Sequence, residues 1–358
     1  MTDTITQTEI RHQRLQNSLL VNPVVKTPAE TVDHLLGIQA QYGNAALLNL
    51  YNRMANADPA AFEAAVQDSP IVKAWGNRQT LHLFTQRSWQ TFVTIFGDRD
   101  TWVVKHLQEN NLDPDEAFNH FHQFGHDHPQ FTRDELFEEF GDQAKILFTW
   151  SALLLDESMH GRLYLPEIAA TNTSFTACPP TPHRPLLPTL QRYAKAYFTA
   201  YGPATMQDYA HFAGLSQTAL HLTEMDLSGL TTFEHDGKTY YGSTKTPTAD
   251  MPELIMLCKF DPLLIGYADK TWITSKHQKK IWHTGGQIEP VILINGDLYG
   301  TWRYQLTSTK LNATVDAYKI INQQRKRLIK RRLAEYAAVF GREPGKITYT
   351  GKAYGEKN

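Results

Sequence analysis

Three segments of this 358-residue chain open with the same helix start signal: Thr27-Pro28-Ala29-Glu30, Thr132-Arg133-Asp134-Glu135 and Thr205-Met206-Gln207-Asp208. In each, the threonine hydroxyl can accept a bond from an otherwise unpaired backbone N–H, and an acidic side chain three positions on reaches back to the helix start. Pro28 adds the residue preferred at the first helical position. A start signal used three times predicts a body of similar helical units in series.

The residues after each signal extend the repeat. After Thr205 the chain reads MQDYAHFAGLSQTALHLTEM, a short helix with Tyr209, Phe212 and Ala213 apolar, a turn at Gly214 and a second helix capped by Ser216. TTFEHDGKTYYG then supplies two strands around Asp236-Gly237, a pair suited to a tight hairpin. Helix, turn, helix, hairpin is the order of a winged helix-turn-helix unit. After Thr132 the order repeats more loosely, as DELFEEF, a turn at Gly141, one long apolar helix through TWSALLLDESMHG and a strand at 162–165. After Thr27 come a helix, AALLNLYNRM, an acidic helix from Asp58 and a strand at 80–84.

PEIAATNTSFTACPPTPHRPLLP, 166–188, is rich in Pro, Thr and Ser and reads as a linker or extended crossing segment. Beyond residue 250, LIMLC, EPVILI, DLYGTW and the stretch near ATVDAY are strand-like, with Asn295-Gly296 a second hairpin signal. A helix from Ile320 to Phe340 closes the chain. The expected fold class is α+β: tandem winged helix-turn-helix units and a β-rich C-terminal domain. The expected divisions are 1–110, 111–180, 181–250 and 251–358.

Charge separates along these divisions. Residues 1–250 hold 17 Lys and Arg against 28 Asp and Glu, and residues 251–358 hold 18 against 9, within a net charge of −2. A basic C-terminal third suits a polyanion such as DNA, or is a solvated basic face, the reading that charge alone favours. The helix INQQRKRLIKRRLAEYAAVF concentrates Arg325, Lys326, Arg327, Lys330, Arg331 and Arg332 opposite Ile321, Leu328, Ile329, Leu333, Tyr336 and Phe340. No apolar run is long enough to cross a membrane, and MTDTITQTEIRHQRL lacks the apolar segment of a signal peptide. A soluble cytoplasmic protein is expected.

The familiar catalytic signatures are missing. No nucleophile elbow, P-loop or dinucleotide glycine fingerprint occurs. Cys178 and Cys258 are too few for a disulfide framework or a zinc site. His120, His122, His126 and His128 lack the i, i+4 spacing of helical zinc sites, so neither metal nor cofactor is expected. What stands out instead is LLGIQAQYG, 35–43. Val32, Leu35 and Leu36 mark the apolar face of the helix after Thr27, and Gln39 continues that face. Residues two apart on a helix diverge, so Gln39 and Gln41 converge only if the helix stops between them, and Gly43 is suited to end it.

Together these stretches resemble the AlkZ-like (YcaQ-like) winged-helix DNA glycosylases. The resemblance rests on LLGIQAQ; on Arg78 and Thr80-Leu81-His82-Leu83; on YGPATMQDYAHFAGL, 201–215; on FDPLLIGY, 260–267; and on PVILINGDLYGTWR, 290–303. It implies three tandem winged helices and a C-terminal β domain in a C-shaped body around duplex DNA. It also implies hydrolysis of the N-glycosidic bond of bulky or cationic alkylated purines, crosslinks included in some members, with Gln39 and Gln41 catalytic. Asn77-Arg78-Gln79 departs from the more usual Met-Arg-Gly. Arg78 and His82 are strand residues of the first unit or groups facing the DNA beside the glutamines, and are read as DNA-binding. Lys276, Lys279, Lys280 and Arg303 suit phosphate contact better than base recognition.

Glutamine does not titrate near neutral pH, so neither residue is a strong general base. An N7-alkylated guanine already carries positive charge and leaves as a neutral base without a general acid. What remains is to place a water near C1′ and to stabilise an oxocarbenium-like sugar, which amide carbonyls can do. The same modules also serve a non-catalytic transcriptional regulator, which would dimerise on palindromic half-sites, whereas the glycosylase is expected to act as a monomer. A protein-interaction scaffold has only the acidic N-terminal part in its favour.

Overall fold

The computed structural model describes residues 3–99, 101–169, 173–220, 225–243, 250–273 and 276–352. All three threonine signals form complete capping boxes, at the starts of helices Pro28–His34, Arg133–Phe140 and Met206–Ala213. Thr6 and Thr85 build two more, before helices Gln7–Asn17 and Gln86–Phe96. Each box pairs two backbone N–H groups that a helix end otherwise leaves open.

Among the described residues four sheets share a mixed α+β architecture. The first is ordered Ile38–Gln39, Leu81–Thr85, Ile71–Trp75, and the second Gln130–Thr132, Ser174–Ala177, Leu163–Tyr164. In both, the last strand in the chain occupies the middle. The third joins Thr231–His235 and Lys238–Gly242 through the Asp236-Gly237 turn, where both residues take positive φ (46° and 69°) as a tight hairpin requires. The fourth has five strands, Leu254–Leu257, Val291–Ile294, Asp297–Leu306, Lys310–Ala317 and Glu343–Gly351.

Several elements differ from the sequence expectation, each through a tertiary contact. Strand Asp3–Thr4 leaves the residues next to it in the chain and pairs in parallel with Thr231–His235, while Ile5 and Ile10 bury against Phe233 and Tyr240. The crossing segment contains strand Ser174–Ala177, drawn in between two strands that need a partner. The single helix expected through TWSALLLDESMHG is broken: Trp150 and Ser151 both take positive φ (50° and 62°), and only Ala152–Met159 continues as α-helix. After the basic helix Gln323–Val339 the chain adds Glu343–Gly351 in parallel to Lys310–Ala317, the helix serving as the crossover that a parallel pair needs. The second helix expected after Ser216 falls partly on 221–224, outside the described residues.

The main apolar core runs from Leu15 to Phe340, and Ile5, Ile10, Phe233 and Tyr240 form a second small cluster at the third sheet. Buried polar ties cross between the units. Arg14 pairs with Asp208, Asp208 accepts N–H bonds from Ala268 and Asp269, and the Tyr201 hydroxyl donates to the Leu35 carbonyl at 2.9 Å. Among the described residues no helix is long and apolar enough to cross a membrane.

Candidate active site

The helix after Thr27 ends at His34, well before the glutamines. Leu36 (φ 59°) and Gly37 (φ 103°) turn the chain into the short strand Ile38–Gln39, and a Cβ on Gly37 would stand 2.8 Å from the Phe84 ring. Gly43 does not stop a helix; it begins the next, Gly43–Tyr51. Gln39 and Gln41 therefore converge by a different route from the one the helical pattern suggested. On an extended chain residues two apart share a side. Ile38 and Ala40, fully buried, take the core side, and the glutamines take the other.

Strand pairing supplies their neighbours. Ile38 faces Leu83, Gln39 faces His82, and the Ala40 N–H donates to the Leu81 carbonyl at 2.7 Å. Gln39 is only 6% exposed, and no hydrogen bond from a described residue reaches its side-chain amide. Gln41 is exposed, with its Oε1 accepting from the Leu81 N–H at 3.4 Å. His82 is buried and stacked on Phe84, and burial, with a smaller push from Arg78, holds its pKa down to about 4. Its ring is neutral at pH 7, so Nδ1–H donates to the Thr80 carbonyl 2.8 Å away and Nε2 keeps a lone pair. The cluster can orient and hydrogen-bond a substrate or water without exchanging protons near neutral pH.

A cleft of about 560 Å³ opens at Gln41, between residues 41–45 and the five-stranded sheet. Lys259, Glu289 and Arg303 bring charge to it. Lys259 Nζ lies 4.2 Å from the centre of the Tyr42 ring, which stacks on Phe260 at 5.5 Å and 13°. Arg303 Nε donates to Glu289 Oε2 at 3.0 Å, and His283 Nε2 lies 3.4 Å from the other oxygen. Tyr42, Lys259 and Glu289 escaped the sequence reading. Tyr42 lies inside the glutamine stretch and Lys259 directly precedes FDPLLIGY, but nothing local ties either to the site.

The remaining expected residues divide in two. Lys280 lies 3.9 Å from Asp316 and 4.7 Å from the Tyr318 ring centre, with Lys276 and Lys279 exposed beside it. Asp316 pairs in register with Thr301, two residues from Arg303 on the same sheet face, so Lys280 and Arg303 lie along one stretch of surface. Arg78, exposed and with φ of 55°, also reaches the carbonyls of Ile265 (3.3 Å) and His211 (3.5 Å), a tie between units. In the histidine run His120 meets Glu139, His122 meets Glu157 and His128 Nδ1 lies 3.3 Å from the Phe124 carbonyl, and no group of three or more His, Cys, Asp or Glu among the described residues could hold a metal ion.

The family model "DNA glycosylase AlkZ-like" matches residues 32–339, an interval that includes the glutamines, the cleft and most of the five-stranded sheet. The chain belongs to the AlkZ-like DNA glycosylase family. Membership makes it a DNA N-glycosylase, an enzyme that cleaves the bond between a base and its deoxyribose. The chain is similar to an interstrand DNA cross-link repair glycosylase of Streptomyces sahachiroi, 24% identical over 323 residues that cover 81% of this chain and 85% of that protein. Its fold is similar to the solved structure of the Streptomyces sahachiroi DNA glycosylase AlkZ, with a TM-score of 0.76 and 20% identity, covering 97% of this chain and all of the other.

Proposed function

We propose that this glycosylase hydrolyses the N-glycosidic bond of cationic, N7-alkylated purines in duplex DNA, interstrand crosslinks included, with Gln39 and Gln41 carrying the reaction. The observation that carries the reading is Gln39, a residue only 6% exposed whose side-chain amide has no hydrogen-bond partner among the described residues, on the same side of the strand as Gln41. Such an amide keeps its donors and its acceptor for bonds that arrive with the substrate or its water. The amides orient water and stabilise the sugar cation, and the base leaves neutral without an acid. The open cleft at Gln41 accommodates a bulky or crosslinked adduct, and the relative named for cross-link repair supports that substrate class.

The same reading makes the first two sheets wings of tandem winged helix-turn-helix units. With the third unit and the β-rich domain, divided at 1–110, 111–180, 181–250 and 251–358, they form a C-shaped monomer around duplex DNA, working in the cytoplasm on the nucleoid. Lys276, Lys279, Lys280 and Arg303 contact phosphates, with Arg78 and His82 facing the DNA beside the glutamines.

The test is release of free base from a duplex with one N7-methylguanine and from a crosslinked duplex, comparing wild type with Gln39→Ala and Gln41→Ala at matched DNA binding. Losing one transition-state hydrogen bond slows release by about 10²-fold or more. Wild-type rates in folded, DNA-binding variants would remove the glutamines from the mechanism.

A further inference from the structure

Glu289 is the only carboxylate among the described residues lining the cleft at Gln41. Its position is unfavourable for simple DNA binding. The neighbouring side chains, Lys259 and Arg303, are cations suited to phosphate, and an acid between them repels the same polyanion. Its side chain is 20% exposed and faces the opening. Main-chain pairing fixes it from behind: the Glu289 N–H donates to the Ile281 carbonyl at 2.8 Å, and Pro290 comes next, at the start of strand Val291–Ile294. Two residues upstream, Gln287 meets the Tyr42 hydroxyl at 3.5 Å, so the Glu289 segment closes the cleft directly across from the glutamine strand.

Without DNA the Glu289 charge is offset by Arg303 at 3.0 Å and faces His283 at 3.4 Å. The Arg303 side chain is 72% exposed, so it can swing to an arriving phosphate at little cost. Exchanging that partner would leave the carboxylate facing the cleft only once DNA fills it. The glutamines bring no charge to a reaction that develops positive charge on the sugar, whereas a fixed anion in a site closed to water stabilises that charge strongly.

We propose that Glu289 is a catalytic residue that stabilises the cationic transition state from the wall opposite Gln39 and Gln41, and that Arg303 masks it until DNA is bound. The inference rests on the glycosylase reading of the cleft. No bond forms to Glu289; the base leaves with the electron pair of the glycosidic bond, and water supplies the new C1′–O bond and gives up a proton to solvent.

The experiment uses the full chain, wild type, Glu289→Gln, Glu289→Asp and Arg303→Gln, each checked for folding by its melting curve. Glu289→Gln is expected to release N7-methylguanine about 10²-fold more slowly at saturating enzyme, to bind DNA at least as tightly, and to lose the wild type's preference for a duplex carrying a pyrrolidine cation in place of the sugar. Glu289→Asp recovers part of both effects, and it carries the test if Glu289→Gln does not fold. Arg303→Gln weakens binding but keeps the pyrrolidine preference. A Glu289→Gln variant with wild-type release, or one whose only defect is the binding loss of Arg303→Gln, overturns the proposal and leaves Glu289 a partner that holds Arg303. Wild-type protein releasing no base would instead overturn the underlying reading.

Discussion

Arg53 and Asp261, 208 residues apart in the chain, form a two-pronged ion pair, Nη1 to Oδ2 at 2.9 Å and Nη2 to Oδ1 at 2.8 Å, with neither side chain reaching solvent. The pair joins the turn that follows helix Gly43–Tyr51, behind the glutamines, to the turn behind Lys259 and so ties together the two walls of the cleft. Arg53 also donates to the carbonyls of Ser18 and Asn49, and Asp261 caps the turn at the Leu263 N–H. Removing one partner leaves the other charge buried and alone. Arg53→Ala is expected to destabilise the protein by about 3–5 kcal/mol, read as a lower urea midpoint. A midpoint unchanged from wild type would mean that water enters to replace the guanidinium.

Gly43 is set by crowding, not by its backbone angles. A Cβ there would lie 2.8 Å from the Ala169 carbonyl oxygen and 3.0 Å from that of Ile168, which also accepts from Lys73 Nζ at 3.1 Å. Backbone on that side cannot rotate away. Gly43→Ala is expected to cost about 1–3 kcal/mol and to slow base release by shifting the adjacent Gln41, measured by urea unfolding and single-turnover kinetics. Normal values for both would show that the 168–169 loop yields freely.

His82 links stability to pH. Its native pKa is held down to about 4 by burial, whereas an unfolded histidine titrates near about 6.5. The unfolded chain therefore takes up a proton that the native state refuses. The resulting stability is complete above about pH 6.5 and is lost as pH falls toward 4, up to about 3 kcal/mol in all. Urea midpoints measured across that range should fall less steeply in His82→Asn than in wild type. Parallel curves would mean that His82 is protonated in the native state.

Salt dependence tests the phosphate contacts. Each of Lys276→Ala, Lys279→Ala, Lys280→Ala and Arg303→Ala is expected to lower the slope of log binding constant against log salt by about 1, weakening damaged and undamaged duplexes alike. A substitution that leaves the slope intact places that side chain off the DNA.

Local chemistry determined much of this protein in advance. The capping boxes at Thr27, Thr132 and Thr205 and the hairpins at Asp236-Gly237 and Asn295-Gly296 form where the sequence puts them, because each is closed by groups a few residues apart. The Gln-x-Gln stretch was also visible as a motif, but its geometry was not. Helical periodicity carried the helix on to Gly43, whereas pairing with Leu81–Thr85 captured Ile38–Gln39 as a strand instead. Breaks such as Trp150–Ser151 and additions such as Glu343–Gly351 likewise answer to partners outside the local window. The cleft was the least legible part. Tyr42 meets Lys259 and Arg53 meets Asp261 beneath it only after distant segments pack together, whereas Glu289 and Arg303 lie side by side on one wall, brought together by the hairpin at Asn295-Gly296. The sequence by itself determined where helices start, where hairpins turn and which side chains are available for chemistry, since those depend on neighbours in the chain. Only the tertiary structure decided which of those side chains share a site, because burial and charge pairing act across space between segments brought together by the common core.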